Sequence, residues 1–140
     1  MAQFSAIMHS FGIRYGYYEP NNWRMAMYCD PIIDIFGDIM YNIGQYAFIN
    51  DPDQKPALLV VYAEHVKKFT ALCEKNLEHH KGKFIAGDKV TIADFVMASY
   101  IGNYVMNPNS PLTPAGKAAA EGKPYFNEYI KTVISTFTHL

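Results

Sequence analysis

Residues 87–95 read Gly87-Asp88-Lys89-Val90-Thr91-Ile92-Ala93-Asp94-Phe95, the clearest local instruction in a chain of 140 residues. Thr91 and Asp94 are spaced as a capping box, with Asp in place of the usual Glu or Gln at the fourth position. The Thr91 hydroxyl is placed to accept from the backbone N–H of Asp94, and the Asp94 carboxylate from that of Thr91. Two donors that a helix start leaves unpaired are thereby satisfied. Val90 before the cap and Phe95 after it are placed as a hydrophobic staple. A helix therefore begins here and runs to about Met106, where Asn107-Pro108 stops it.

The same kind of punctuation extends in both directions. Downstream, Thr113-Pro114 opens a short Ala-rich helix that Gly122 ends, and Lys123-Pro124 opens a last helix carrying Phe126, Ile130, Val133, Ile134 and Phe137. Upstream, Leu58, Val61, Tyr62, Val66, Phe69, Leu72, Cys73 and Leu77 form one apolar stripe on a helix over 56–80, with Gly82 as its stop. Val60 and Val61 suit a strand, but the stripe is too long for one. Before the turn at Asn50–Asp53, the recurrence of Trp23, Met27, Ile33, Phe36, Met40, Ile43 and Ala47 predicts a helix over 23–47, with Asn22 as N-cap. Pro31 falls inside it and predicts a kink or a fresh start capped by Asp30. Residues 2–15 form a first short helix, ended by the Tyr15–Asn22 segment. No alternating pair of strands appears, so the fold class is all-α.

Composition agrees. Half of the residues are apolar and 18% are charged, which excludes a disordered tail or a fibrous repeat. A domain of this size can bury a core without disulfides or metal. Lys plus Arg total 12 and Asp plus Glu total 13, so no net field draws the chain to nucleic acid or anionic lipid. The longest charge-free stretch, Phe95 to Gly116, is broken by Ser, Asn, Pro and Gly and is no membrane span. The apolar opening, Met1 to Gly12, has no basic leader and is not read as a signal peptide. Two distant cysteines, Cys29 and Cys73, make neither a disulfide framework nor a zinc site, and the expected setting is cytoplasmic.

The 87–95 segment resembles the G-D-x-x-[ST]-x-A-D signature of the glutathione S-transferase superfamily, where it begins the sixth helix of the C-terminal domain. Gly82-Lys83-Phe84 just before it and Lys123-Pro124-Tyr125-Phe126 later in the chain resemble neighbouring family elements more loosely. Gln3-Phe4-Ser5-Ala6-Ile7 resembles the Q-S-x-A-I that opens the last helix of the family's thioredoxin-like domain. The resemblance implies two parts. Residues 1–18 form a helix like the end of a thioredoxin-like domain, and residues 19–140 form a C-terminal-like helical bundle. The segment of the family that carries the catalytic Tyr, Ser or Cys finds no matching residues here, so no catalytic residue carries over. Gln3 matches a glutathione-contacting Gln. The adjoining Ser is matched by Phe4, with Ser5 one place and about 100° of helix away. Asp38 is the best positional match to the glutathione-reaching Asp of sigma-like members. The family's second-substrate pocket uses residues of the same helix, so the resemblance keeps Met40 as a pocket candidate beside its reading as core.

Most other candidates read as structure. The Thr91–Asp94 box is a folding element. Asp30, Asp34 and Asp38 recur at four-residue spacing and repel one another, which suits a solvated or dimer-facing stripe over a ligand or metal face. His79 and His80 point about 100° apart and share a metal poorly. Glu64-His65 lacks the second His of a zinc protease motif. Cys29 and Cys73 read as packed thiols. Tyr15, Tyr17 and Tyr18 do not occupy the family's catalytic strand, and Met25, Met27 and Met97 read as core. The expectation is a non-catalytic interaction or structural subunit, with a protein partner or second copy docking through the first two helices. No cofactor or metal is implied, and glutathione enters only where a thioredoxin-like domain is supplied. The alternative is a partial form of an active transferase that conjugates glutathione to electrophiles, lowering its thiol pKa.

Overall fold

The computed structural model describes residues 2–81 and 83–138, with side chains from Phe4 onward. Among the described residues six α-helices follow one another: α1 Ala2–Tyr15, α2 Trp23–Phe48, α3 Lys55–His80, α4 Ile92–Tyr100, α5 Thr113–Ala120 and α6 Pro124–Phe137. Among the described residues there is no strand, only an isolated bridge between Phe84 and Gly87. The all-α expectation holds.

The long helices α2 and α3 pack together and form the frame on which α4, α5 and α6 sit. Asn22 caps α2 as the sequence predicts, its side chain accepting from the Met25 N–H at 3.1 Å. Pro31 does not interrupt α2, which continues unbroken to Phe48. Pro31 is exposed and so is Met27 one turn earlier, so water can take the carbonyl that the proline leaves without a partner. The predicted stop at Gly82 lies outside the described residues. The turn that closes α3 is made by Lys81, in left-handed backbone at φ 50°, whose N–H reaches the Leu77 carbonyl at 2.9 Å. The predicted helix to Met106 is α4 followed by a π-helical turn, Ile101–Val105, with the Met106 N–H on the Ile101 carbonyl at 2.9 Å.

The core is aromatic and aliphatic. Tyr62, Phe69, Tyr100, Phe126, Ile32, Ile39 and Met97 are all buried. At its centre lies one carboxylate. Asp94 is fully buried and forms the predicted capping box with Thr91. Its Oδ2 accepts from the Thr91 backbone N–H and hydroxyl, both at 2.8 Å. Its Oδ1 accepts from the Ile85 N–H at 3.1 Å and the Tyr129 hydroxyl at 2.7 Å. Burial pushes the Asp94 carboxyl above the usual carboxylate range, while the Ile85, Tyr129 and Thr91 donors pull against it. The Tyr129 phenol is pushed well up by its own burial and by that carboxylate. Two further long-range polar contacts fix the other helices. The Thr70 hydroxyl joins α3 to the Ala119 carbonyl of α5 at 3.0 Å. The Glu74 carboxylate of α3 accepts from the Phe126 N–H at 2.7 Å and so caps α6 from outside its own segment.

Helix α1 is attached at its C-terminal end by a close approach. A Cβ on Gly12 would overlap the Ile92 side chain and lie 2.8 Å from Cβ of Tyr18. The Gly12 carbonyl accepts from the N–H groups of Tyr17 and Tyr18, and the Tyr17 carbonyl accepts from the Ile92 N–H at 3.2 Å.

Asp94→Ala should lower stability by about 3–5 kcal/mol in urea unfolding, because it leaves several buried donors unpaired. Tyr129→Phe, which removes one donor, should cost about 1.5–3 kcal/mol. Gly12→Ala should cost about 1–3 kcal/mol through overpacking against Ile92.

Candidate functional site

Where α1, α2 and the α4 π-turn meet, Phe4, Phe36, Gly37, Met40, Ser99, Asn103 and Tyr104 line a pocket of about 430 Å³. That volume suits a small organic molecule. Asn103 and Tyr104 of the π turn, which adds a residue to the helical turn, are among the pocket's lining residues. Phe4 and Phe36 form one apolar wall, with ring centroids 6.0 Å apart. None of the lining residues is charged. Burial pushes the Tyr104 phenol up, so it stays a neutral donor. Its hydroxyl partner is the Met40 thioether at 3.9 Å, a weak acceptor that a ligand oxygen would outcompete. Asn103 Nδ2 is held by the Ser99 carbonyl at 2.9 Å. The arrangement suits an apolar or aromatic molecule with one acceptor atom. A wider cleft of about 950 Å³, between the end of α3, the residues after it and α6, is mixed in charge, lined by Lys81 and Lys83 as well as Asp88 and Glu128.

Met40 thus lines a pocket, and Phe4, the residue in the place of the family's Ser, forms its wall. The side chain of Gln3 lies outside the described residues. Asp38 is exposed on α2 and is not among the lining residues, and its backbone carbonyl accepts from Asn42 Nδ2 at 2.8 Å. Val90 packs against the core, and the Phe95 ring stands edge-on to Tyr17 at 4.9 Å and to Phe137 at 5.2 Å. Cys29 and Cys73 are free and buried, and burial pushes the Cys29 thiol up to about 11 and the Cys73 thiol up as well. Among the described residues no three His, Cys, Asp or Glu side chains are grouped as metal ligands.

The acidic row of α2 divides. Asp34 and Asp38 are exposed, but Asp30 is half-buried and takes two donors. Its Oδ1 lies 3.0 Å from His9 Nε2, and its Oδ2 accepts from the Tyr18 hydroxyl at 3.1 Å. His9 Nδ1 lies 2.8 Å from the Ser5 carbonyl, and the His9 ring stands edge-on to Tyr18 at 4.6 Å. The sequence signals none of this beyond Ser5 and His9 one helical turn apart.

A second surface adjoins the pocket. On α1, Phe4, Ile7, Phe11 and Tyr15 lie along one face and are 38%, 52%, 54% and 60% exposed. The Phe11 and Tyr15 rings are stacked with centroids 6.0 Å apart.

A Cβ on Gly37 would meet no atom within 4 Å, so Gly37→Leu should enter the pocket without distorting the fold. It should weaken binding of a neutral fluorescent naphthylamine by about tenfold and leave the urea midpoint unchanged or slightly raised.

No curated protein matches this sequence. The fold is similar to that of the crystal structure of the glutathione S-transferase Blo t 8, with a TM-score of 0.74 and 17% identity. The likeness covers 97% of this chain and 62% of that one, so the chain spans less than two thirds of the solved transferase. Residues 37–133 match the family described as glutathione S-transferase, C-terminal domain. The matched segment includes the capping box, the π turn and most of the core, and the chain belongs to the glutathione S-transferase family through its C-terminal helical domain.

Proposed function

We propose that this chain is the partner-docking helical half of a glutathione-transferase-like assembly, and that by itself it does not catalyse conjugation. The observation that carries the proposal is the apolar row Phe4, Ile7, Phe11 and Tyr15 on the open face of α1. Burying a side chain of this size contributes about 1.5–3 kcal/mol, so four in a row favour a covering surface by several kcal/mol. The occupant is a thioredoxin-like fold, on the same polypeptide or another. Support comes from the family resemblance of residues 3–7 and from the similar transferase, which extends beyond the part this chain aligns with. On this reading α1 belongs with that fold and residues 19–140 form the helical domain. A role for Gln3 and Asp38 at glutathione belongs to the same assembly and arises only when the thioredoxin-like fold is present. Two free, buried cysteines fit a reducing, cytoplasmic setting.

The uncharged pocket favours a second reading. It abuts the α1 face, so in the assembly it would hold the apolar electrophile that a glutathione thiolate attacks.

The chain at about 10 µM should capture a separately produced thioredoxin-like domain in light-scattering chromatography, and Ile7→Glu with Phe11→Glu should abolish this. The isolated chain should show no glutathione-dependent conjugation of an aryl halide. A monomer that captures nothing would overturn the docking role, and turnover by the isolated chain would overturn its dependence on a partner.

A further inference from the structure

The N-terminal half of α1 is held on the bundle by a clasp whose shortest contacts favour the protonated form of His9. Both ring nitrogens face acceptors at short range: Nδ1 lies 2.8 Å from the Ser5 carbonyl and Nε2 lies 3.0 Å from Asp30 Oδ1, while the Ser5 hydroxyl, the other group near Nδ1, is farther off at 3.4 Å. A neutral imidazole carries one N–H, so it satisfies one acceptor and sets a lone pair against the other. The imidazolium satisfies both and forms an ion pair with Asp30. Asp30 is itself oriented by the Tyr18 hydroxyl at 3.1 Å.

The charges around the ring act in the same direction. From α2, Asp30 and Asp34 reach it. From the connecting segment, Tyr18 lies against the ring as a neutral phenol, its own pKa pushed up to about 12 by burial and by Asp30. From its own helix, the Ser5 carbonyl faces it. The one charged residue of α4, Asp94, is turned to Thr91, Ile85 and Tyr129 instead. Burial alone would pull His9 down, but the Asp30 hydrogen bond and charge, the Ser5 carbonyl and Asp34 more than offset it and hold His9 above its ordinary value. At the other end of α1, the Gly12 carbonyl is held by backbone N–H groups that do not titrate.

We infer that the His9–Asp30 clasp is a pH-dependent hold on the docking helix: protonated His9 keeps the N-terminal half of α1 against α2, and loss of its proton loosens that half while the Gly12 end stays fixed. The clasp stands on the contacts between α1 and α2. Its consequence for assembly rests on the docking role proposed above. A His whose folded pKa is raised contributes stability that is complete below its unfolded value and is lost as pH rises through the folded value. The apolar face of α1 is therefore presented in one fixed orientation while His9 holds its proton and in a looser one once that proton is lost.

The test is hydrogen exchange on the full chain at about pH 6 and about pH 8.5, expressed as protection factors to remove the intrinsic pH dependence of exchange. Protection of amides 6–12 should fall roughly threefold or more between the two, and should not fall in Asp30→Asn. In case that variant unfolds, the His9 ring is titrated by NMR in the unaltered chain, where a midpoint above the ordinary imidazole value is expected. Equal protection at both pH values, the same fall in Asp30→Asn, or a His9 midpoint at or below the ordinary value would each overturn the clasp. Capture of a thioredoxin-like domain at the same two pH values separates the two ideas. No capture at either pH, with the fall in protection intact, supports the clasp and defeats the docking role alone.

Discussion

A single buried carboxylate organises this bundle. An Asp side chain taken out of water is costly unless every lone pair finds a donor. Asp94 meets that condition with donors from three places in the chain: Ile85 in the segment after α3, the N-cap residue Thr91 and the middle of α6. The requirement runs in both directions. The carboxylate is tolerable only when Ile85, Thr91 and Tyr129 converge on it, and those segments are held in register because it is there. The apolar core supplies far more burial energy, but apolar contacts are non-directional and tolerate sliding. A four-donor carboxylate does not.

The remaining architecture follows from where Asp94 puts α4. The Ile92 N–H, one residue beyond the cap, ties the helix start to the Tyr17 carbonyl. That fixes the segment which, through Gly12, fixes the end of α1. At the other end of α4, Tyr100 packs on Phe69 with ring centroids 5.2 Å apart, and the π turn begins at the next residue. The pocket at Met40 and Tyr104 and the apolar face of α1 are thus both referred to one helix, which explains how they come to lie side by side.

Much of the fold was legible from local signals. The capping box at Thr91–Asp94, the Asn22 cap and the stripe from Leu58 to Leu77 each depend on residues within a few turns of one another. What was not legible depends on distance along the chain. Tyr129 completes the Asp94 site from 35 residues away, Glu74 caps α6 from 52 residues away, and His9 meets Asp30 across 21. Helical periodicity says which face a residue occupies but not which residue of another helix stands opposite. At Pro31 the fresh start that the missing N–H suggests does not occur, because the proline faces water, and the sequence alone does not show which way it faces. In the pocket, Met40 was reached through the family resemblance. Phe36, Ser99 and Tyr104 are brought to it by the crossing of α2 with the π turn, which no local pattern in residues 99–105 announces.

The two cysteines have a use that follows from their burial. Cys29 sits on α2 and Cys73 on α3, both with no exposed surface and with thiols that burial keeps protonated. A thiol in that condition reacts with a labelling reagent only when the helices around it separate. The two thiols of the folded chain are therefore close to inert toward mild oxidants. Cys73 Sγ lies 3.7 Å from Met97 Sδ and Cys29 lies against Thr91 and Ala93, so the rate at which the thiols take up an alkylating label measures how often α4 comes away from the two framework helices, giving this bundle an internal clock for its own opening.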